Sequence, residues 1–442
     1  MRRVFGHGIG PLACLLIGAC ASSGVDTGPG TGGSGGGAAA GTAGTGGGAA
    51  GSAGATGTAG TTGGAGSAAA GTSGGAGAGG VSRGGTSGTA GAGGGGGGGR
   101  GGAAGTGAAG TTGTGGSNCM TPPAPSALVG WASVGTGTTG GGNATPQTVT
   151  TVAALNAAAA GTGAAVIYVS GVLPNGAITI GSNKTVVGLC GAEIHGHVDI
   201  VGSSNVIVRN IKIVGYGVGN CALDPAYDPS VGCSSGNDAV TVERGNHIWF
   251  DHDDISDGTD GNLDITLGAD DVTVSWTKFH YTARTDTSGN DSTGAAGHRY
   301  SNLIGGSDNS SADMGKLNVT WHHNWWADRV VERQPRIRYG QNHLFNNLWT
   351  SSGDNYCIRA GTNAHILAEN NAFVGVKTPT EFNSTADQGT SYITFTNNLV
   401  SGGSGTPATG GGGTPFTTPS YMYTADGAST VQAAVQAGAG PR

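Results

Sequence analysis

The sequence predicts an all-β fold, a right-handed parallel β-helix with short capping helices, for the part of the chain that follows its Gly/Ala-rich beginning. Three observations predict this fold. Short segments of alternating apolar residues recur, they return at intervals of 23–27 residues or close to twice that, and one position in them is mostly asparagine. The recurring positions are Asn210, Asp254, Lys278, Asn324, Asn347, Asn371 and Asn398. Alternating β-branched strands at this period are typical of a stacked solenoid.

Two other repeat architectures fit these segments less well. Helical repeats are longer and have a helical periodicity, and leucine-rich repeats need Leu at fixed positions, whereas these segments use Val, Ile and Asn. In a parallel β-helix each coil pairs with the next, so recurring asparagines can stack side chain on side chain. We therefore interpret Asn324, Asn347, Asn371 and Asn398 as structural rather than catalytic.

The ends of a solenoid need covers, because an open end exposes core residues and unpaired strand edges. Residues Pro146–Ala160 predict a short helix that covers the N-terminal end, and STVQAAVQAGAG near the C-terminus predicts a second one. The stretch Ser401–Thr418 is predicted to be a loop. The insertions Gly215–Asn237 and Tyr281–Gly297 are expected on one face, as insertions in solenoids often line the binding face.

Residues 1–20 predict a secretory signal peptide. Arg2 and Arg3 precede a short apolar stretch and small residues, and the stretch is too short to span a membrane. Its end, IGAC, resembles a bacterial lipoprotein signal, in which Cys20 would be lipidated; cleavage near Ala21 as an ordinary signal peptide is the alternative. The sequence thus predicts a secreted protein or a cell-surface, outer-membrane lipoprotein whose only link to the membrane is this anchor.

Composition separates a linker from a domain. Residues 21–118 are almost entirely Gly, Ala, Ser and Thr and predict a disordered linker, while residues 119–442 form the predicted domain, expected to be a monomer. Residues 1–118 hold four of the 19 basic and one of the 26 acidic residues, which leaves 15 against 25 for the domain. This acidic balance argues against nucleic-acid binding. A polyanionic ligand would need a local basic patch or a bridging cation.

The cysteines fit an exported protein. Outside the signal segment the chain has five, at Cys119, Cys190, Cys221, Cys233 and Cys357. Cys221 and Cys233 flank one loop and predict a disulfide, Cys119 with Cys190 is a second candidate pair, and an odd cysteine remains free. No Cys/His spacing indicates zinc.

Three carboxylates predict a cation site. Asp238 precedes a strand in GNDAVTV, and Asp260 and Asp264 lie in DGNLDITLGADDVTVSW. An isolated Asp in a loop is usually a turn former. Residues 238 to 264 span about one coil, however, so stacking would bring the three side chains together. Hard oxygen ligands without nearby His or Cys favour Ca²⁺.

The segment RVVERQPRIRYGQNHLFNNLW concentrates arginines beside an alternating apolar run. Alternation places Arg336 and Arg338 on one face, and Pro335 fixes the chain direction before the strand. The segment is either a solvated basic edge that deters aggregation or an anion-binding patch for carboxylates, which arginine forks suit well.

These segments together resemble the pectate lyase family, polysaccharide lyase family 1. The resemblance runs in order from about Gly130 to the C-terminus, and it rests most on the WFDH box (Trp249 to His252) and the RxPxxR box in combination. The segments that carry it are NKTVVGL, SNVIVRNIKI, NDAVTVERGNHIWFDHDDIS, DGNLDITLGADDVTVSWTKF, NLIGGSD, KLNVTWHHNWW and RQPRIRYGQNHLFNNLW.

The resemblance implies a right-handed parallel β-helix and Ca²⁺-dependent cleavage of polygalacturonate by β-elimination. It assigns the calcium to Asp238, Asp260 and Asp264, proton abstraction to Arg333, and contact with substrate to Arg338. On the residues alone, Arg333 would be an electrostatic stabiliser, because a guanidinium stays protonated far above neutral pH. Its assignment as the base comes from the family, and an alkaline pH optimum would follow.

Two further pairs have a structural interpretation. The resemblance places Asp251 and His252 in the family's structural box, although on the residues alone they are also a candidate acid–base dyad. His322 and His323 are expected to pack and form hydrogen bonds rather than to bind a metal.

The sequence departs from the family pattern at one substrate-binding position. Many members have a Lys just before a Leu-Ile-Gly stretch, whereas here an insertion and no Lys precede NLIGG, so that Arg284 or Arg299 is the candidate replacement. Some members also have a further calcium acid near Asp238, where this chain has Val240. Two alternatives stay open: a pectin lyase that acts on methyl-esterified polymer without Ca²⁺, and a non-catalytic β-helix that binds acidic glycans.

Overall fold

A computed structural model describes most of the predicted domain. The described residues are 121–217, 221–230, 236–282, 298–383 and 390–442. The predicted signal peptide (1–20) and linker (21–118) lie outside them, as does nearly all of the predicted insertion at 281–297. Among the described residues, no helix combines the length and the apolar character that crossing a bilayer requires.

The described residues form 25 strands and two α-helices, α1 (Val152–Ala159) and α2 (Ala428–Gly438). Single 3-10 turns lie at Trp131–Ser133 and Cys221–Leu223. The strands are β1 (Gln147–Val149), β2 (Ala165–Val169), β3 (Val172–Thr179), β4 (Lys184–Gly188), β5 (Glu193–Val201), β6 (Ser204–Arg209), β7 (Lys212–Val214), β8 (Val240–Glu243), β9 (Asn246–Asp251), β10 (Asp254–Ser256), β11 (Leu263–Thr266), β12 (Asp270–Ser275), β13 (Lys278–His280), β14 (Leu303–Ile304), β15 (Val319–His322), β16 (Trp325–Trp326), β17 (Arg336–Ile337), β18 (Gln341–Phe345), β19 (Leu348–Trp349), β20 (Ile358–Ala360), β21 (His365–Glu369), β22 (Ala372–Val374), β23 (Thr380–Phe382), β24 (Tyr392–Thr396) and β25 (Leu399–Ser401).

The strands stack in parallel into two sheets that make three faces. Face A has the order β1-β2-β4-β6-β9-β12-β15-β18-β21-β24. In the other sheet β5 pairs with β7 through Glu193–His195 and with β8 through Val198–Val201. The arm beyond β7 is face B (β7, β10, β13, β16, β19, β22, β25), and the arm beyond β8 is face C (β8, β11, β14, β17, β20, β23). Each coil passes from A to B to C, as the predicted β-helix requires.

The core fills the space between the three faces with side chains from every coil. Aliphatic residues dominate the first coils, and stacked aromatic rings fill the later ones. The rings of Trp326 and Trp349 are 4.7 Å apart and parallel to within 4°, and those of Trp349 and Phe373 are 4.3 Å apart at 7°. Equivalent positions of successive coils therefore carry similar side chains, which is why the repeat is visible in the sequence.

The predicted asparagine stack lies at the turn from face A to face B. Asn347 is buried; its Nδ2 donates to Trp321 O (2.8 Å) and to Asn371 Oδ1 (3.0 Å), and its Oδ1 accepts from the backbone N–H of Asn324 (2.9 Å). Asn371 repeats this pattern with Asn398. Each amide thus satisfies backbone groups of two coils, which confirms the structural interpretation of these four residues.

The early part of the predicted repeat is out of register by one residue. Lys278 pairs with Trp325 and Asp254 with Lys278, so Thr277 and Asp253 occupy the position of Asn324. Asp253 Oδ1 accepts from Ile211 N (3.0 Å), as the asparagines do. The residue that follows each of these two positions is also polar, Asp254 after Asp253 and Lys278 after Thr277. Alternation in the sequence therefore did not distinguish the inward position from its neighbour.

Replacement of Asn347 by alanine is expected to lower the free energy of unfolding by about 2–4 kcal/mol, since several buried backbone and amide groups lose their partners. Urea unfolding followed by circular dichroism would measure this loss. The matched control is Asn398→Ala at the last position of the asparagine stack. This residue is half-buried, so water can replace part of the lost hydrogen bonding. Equal losses of unfolding free energy in the Asn347 and Asn398 variants would contradict the argument.

The two ends of the solenoid are covered differently. Helix α1 packs against β2 and β3, with Leu155 and Ala159 in the core, and so covers the N-terminal end as predicted. It is shorter than the predicted Pro146–Ala160, because Gln147–Val149 form strand β1 instead. Helix α2 forms as predicted but lies along face B, where Val431 and Val435 pack on Leu348. The C-terminal end is instead covered by the predicted loop Ser401–Thr418, in which Gly410 bridges to Ile393 of the last coil.

The structure describes the bonding state of three cysteines, while their predicted pairing stays a prediction. Cys190 and Cys221 are each disulfide-bonded. Their predicted partners, Cys119 and Cys233, lie outside the described residues. Cys357 is free and buried.

Candidate active site

The three aspartates lie at the entry to face C. Asp238 is the second residue before β8, Asp260 lies in the turn that leads to β11, and Asp264 is in β11, where it pairs with Thr241 of β8. Because β8 and β11 are adjacent strands, the turns that precede them meet at the same edge of the sheet. One carboxylate oxygen from each residue lies within 4.8 Å of the others.

Each aspartate has a different set of hydrogen-bond donors. Asp264 Oδ1 accepts from the backbone N–H of Leu303 (3.0 Å), Asp238 Oδ2 accepts from Thr241 Oγ1 (3.1 Å), and Asp260 Oδ1 lies 2.8 Å from His298 Nδ1. Asp238 Oδ1 is buried and has no hydrogen-bond partner within the described part of the chain.

Burial and mutual repulsion shift the pKa values of this group. Burial raises the pKa of Asp238 well above its usual value, and the charges of Asp264 and Asp260 raise it further. Burial likewise raises the pKa of Asp264 to about 7, against the lowering effect of Arg333. Burial also acts to raise the pKa of Asp260, but the hydrogen bond with His298 and the charge of Arg333 outweigh it, so this pKa is lowered.

The group has the properties of a cation site. Three clustered carboxylates, one buried and two partly buried, repel one another, one of their oxygens lacks a donor among the described residues, and hard oxygen ligands of this kind suit Ca²⁺. Gly261 keeps the space between them open: a Cβ there would lie 2.9 Å from Asp238 Oδ1 and 3.1 Å from Asp264 Oδ1. The residues present therefore fit a calcium ion.

Gly261→Ala is expected to weaken calcium binding by about 10-fold, because its methyl group would displace two carboxylates from their shared space. Titration calorimetry with CaCl₂ would measure the change. Gly306→Ala is the matched control, since a Cβ there would meet only Thr266 Cγ2, at 3.8 Å. Unchanged affinity in the Gly261 variant would show that the ion binds elsewhere.

Arg333 lies beside the aspartates. Its Nη1 is 3.9 Å from Asp260 Oδ1, its side chain is 15% exposed, and its guanidinium carbon is 4.6 Å from the centre of the Tyr300 ring. The backbone of Arg333 is left-handed, with φ 55°, and its carbonyl oxygen accepts from Asn302 N at 2.5 Å. Nη1 has no hydrogen-bond partner among the described residues.

The charge of Arg333 depends on these neighbours. Burial acts to lower its pKa, but the carboxylates of Asp260 and Asp264 outweigh this and raise the pKa above its usual value. When no cation neutralises these carboxylates, the Arg333 guanidinium is therefore fully protonated. A cation held by the aspartates would remove much of that stabilisation.

The other arginines of the segment line face C next to Arg333. Ile337 is in the core, so Arg336 and Arg338 both point outward, as alternation predicts. Arg338 Nε donates to Asp308 Oδ1 (2.5 Å), and its Nη1 donates to Gly305 O (2.9 Å). Arg338 is thus held rigidly on the face that carries the aspartates.

Of the two proposed lysine replacements, the structure describes only Arg299. Arg284 lies outside the described residues. Arg299 lines a cavity of about 540 Å³ together with Asp328 and Arg329, which neither Arg333 nor the three aspartates line. A substrate-binding role for Arg284 or Arg299 stays a prediction.

Sequence reasoning missed two side chains of the site. His298 and Tyr300 lie directly before the NLIGG stretch, and their rings stack at 4.3 Å and 20°. The insertion at 281–297 interrupts the period there, so the repeat did not place them. The HRY tripeptide itself was the available signal, since it occupies the place where the family pattern has its Lys.

The Asp251–His252 and His322–His323 pairs lie away from these residues, at the ends of face A strands. Asp251 Oδ1 accepts from Ser275 Oγ (2.8 Å) and lies 2.9 Å from His252 Nδ1. His322 Nδ1 lies 3.1 Å from His323 Nδ1. These contacts agree with the structural interpretation of both pairs.

Comparison with known proteins identifies the family. The sequence model of a family described as pectate lyase matches residues 117–441. Pectate lyase E of Dickeya chrysanthemi is 33% identical over 56% of this chain and 68% of its own length. Pectate lyase plyB of Emericella nidulans is 32% identical over 72% of this chain and 89% of its own length.

Solved structures agree in fold. Pectate lyase II of Xanthomonas campestris is 25% identical, with a TM-score of 0.51, over 71% of this chain and 98% of that one. A pectate lyase bound to a hexasaccharide is 24% identical, with a TM-score of 0.54, over 71% and 96%. These neighbours confirm the right-handed parallel β-helix. On the strength of the family match over residues 117–441, this chain belongs to the pectate lyase family.

Proposed function

We propose that this protein cleaves polygalacturonate by calcium-dependent β-elimination and leaves 4,5-unsaturated oligogalacturonides. The observation that carries the proposal is the position of Arg333, whose Nη1 is 3.9 Å from Asp260 Oδ1 beside three clustered carboxylates. A uronate whose carboxylate is attracted to a cation held by that cluster would lie beside Arg333.

The reaction needs a base and a way to hold negative charge. The neutral form of Arg333 takes the C5 proton, the C5–H electron pair forms the C4–C5 double bond, and the C4–O bond breaks with its electrons on oxygen, which takes up a proton from water. Calcium bound by Asp238, Asp260 and Asp264 would neutralise the substrate carboxylate and make the C5 proton more acidic. Arg338, held by Asp308, supplies a fixed charge for a neighbouring carboxylate.

Two other functions remain as alternatives with distinct behaviour. A pectin lyase would act on methyl-esterified polymer and would be indifferent to chelator, but the three intact carboxylates of the cluster argue against it. A glycan-binding β-helix would bind polygalacturonate without product, but it would not require an arginine 3.9 Å from a carboxylate of that cluster.

An assay for the absorbance of the unsaturated uronide separates these three. The purified protein is incubated with polygalacturonate or methyl-esterified pectin, with added CaCl₂ or with EGTA. Product from polygalacturonate that disappears with EGTA supports the proposal. Product from esterified pectin that persists in EGTA supports a pectin lyase, and retention on polygalacturonate without product supports a binding protein.

We also propose that the enzyme is exported and tethered to the cell surface by a lipid on Cys20, with residues 21–118 as a flexible spacer. The signal-like composition of residues 1–20 supports this. Mass spectrometry of the mature N-terminus decides it: a diacylglyceryl-modified Cys20 is expected, and an unmodified N-terminus at or after Ala21 would show ordinary secretion.

A further inference from the structure

Four side chains of the site contact one another in a closed circuit. The Arg333 guanidinium carbon is 4.6 Å from the centre of the Tyr300 ring, and the Tyr300 ring stacks on that of His298 at 4.3 Å. His298 Nδ1 lies 2.8 Å from Asp260 Oδ1, and this oxygen is 3.9 Å from Arg333 Nη1. Arg333 and Asp260 are therefore linked directly and also through two aromatic rings.

The backbone around the two rings is fixed to its neighbours. Tyr300 O accepts from the hydroxyl of Tyr281 (2.7 Å), which is buried, and Tyr300 forms a parallel bridge with Glu332 of the next coil. The N–H of Ser301 donates to Glu332 O (3.0 Å). The ring of Tyr300 thus has a defined position from which it can orient a longer, more flexible side chain.

We infer that Tyr300 and His298 form a positioning pair, in which Tyr300 fixes the Arg333 guanidinium and His298 fixes the Asp260 carboxylate. This inference rests on the proposed function. An arginine side chain has many rotamers, and the face of an aromatic ring attracts its cation and limits them. A hydrogen-bonded partner outside a metal site orients a carboxylate ligand in the same way. The pair therefore acts through Arg333 and Asp260 and does not itself touch the reacting atoms.

The two residues are expected to affect different quantities. Tyr300→Leu should lower kcat on polygalacturonate by about 10-fold and keep KM within about twofold of the wild-type value, because the ring that orients the Arg333 guanidinium is removed. Tyr300→Phe retains the ring and should stay within about twofold of the wild-type kcat. His298→Ala should weaken calcium binding by about 10-fold, as measured by calorimetry without substrate.

A double variant tests whether the pair works as a unit. If the rings support each other, the loss of activity at a fixed low calcium concentration in Tyr300→Leu/His298→Ala is smaller than the product of the losses in the two single variants. His323→Ala is the matched control, because it removes a histidine that stacks at 4.2 Å on Trp276 at the turn from face A to face B. It should leave kcat and calcium affinity unchanged.

The inference is overturned if Tyr300→Leu retains the wild-type kcat, if Tyr300→Phe is as slow as Tyr300→Leu, or if His298→Ala binds calcium as tightly as the wild type. The calcium measurement uses the full chain and needs no turnover. Failure of the wild-type protein to cleave polygalacturonate would reject the proposed function, whereas the His298→Ala titration would still decide the role of the histidine.

Discussion

Arg333→Lys is expected to lower kcat on polygalacturonate by about 10²- to 10⁴-fold, the usual contribution of a positioned proton acceptor. Lysine keeps the positive charge beside Asp260 and Asp264, so the charge balance of the buried group is preserved. It loses the planar fork and moves the nitrogen away from the place where Arg333 Nη1 now lies, 3.9 Å from Asp260 Oδ1. KM should change by no more than a few-fold, because Arg338 remains.

The same substitution at Arg244 provides the control. Arg244 is on an exposed part of the chain, with a side chain that is 53% exposed and an Nη2 2.7 Å from Glu243 Oε2. Arg244→Lys should leave kcat and KM unchanged, since such exposed pairs contribute little. If Arg333→Lys keeps a tenth or more of the wild-type kcat, Arg333 is an electrostatic stabiliser and another group accepts the proton.

The fold could be predicted from the sequence because its repeat is short and chemically regular. Asn324, Asn347, Asn371 and Asn398 each satisfy backbone groups of an adjacent coil, and that requirement places the same residue type at the same point of each coil. At Asp254 and Lys278 the register was predicted one residue too late, because Asp253 and Thr277 occupy the same position with other side chains. At Asn210 it was predicted one residue too early, since Lys212 pairs with Asp254.

The cation site could also be predicted from the sequence, since Asp238 and Asp264 are separated by about one coil and stacking alone brings them together. The contact between Asp260 and His298 could not be predicted in this way. It joins coils on either side of an insertion of irregular length, so no period predicts it. The same limit applies to Asp308, whose contact with Arg338 depends on the path of a loop rather than on the repeat.

Asp264→Asn is expected to weaken calcium binding by at least about 100-fold and to lower activity at a fixed low calcium concentration correspondingly. Asp264 is the most buried of the three aspartates, at 6% exposure, and its Oδ1 accepts from Leu303 N. Asparagine can keep that hydrogen bond and nearly the same volume. The loss would therefore come from the missing charge and ligand oxygen rather than from a disturbed strand.

Without calcium, Asp264→Asn should be more stable to unfolding than the wild type. Burial and the neighbouring charge of Asp260 raise the pKa of Asp264 to about 7, so ionised Asp264 destabilises the calcium-free fold, and removing its charge should raise the free energy of unfolding by about 1–3 kcal/mol at pH 8 in EGTA. In excess calcium the order reverses, because only the wild type gains stability from the bound ion. Urea unfolding with and without calcium measures both effects on the same samples.

If Asp264→Asn is more stable than the wild type in EGTA and less stable in calcium, the carboxylate belongs to a cation site and not to an ordinary acidic surface. Asp228→Asn is the control, since this carboxylate lies in an exposed loop and accepts from Ser230 N within its own turn; its stability should be nearly the same with and without calcium. If Asp264→Asn were less stable than the wild type in EGTA as well as in calcium, the carboxylate would be a structural acceptor. Calcium binding at this edge of face C, and with it the metal-dependent reaction, would then have to be abandoned.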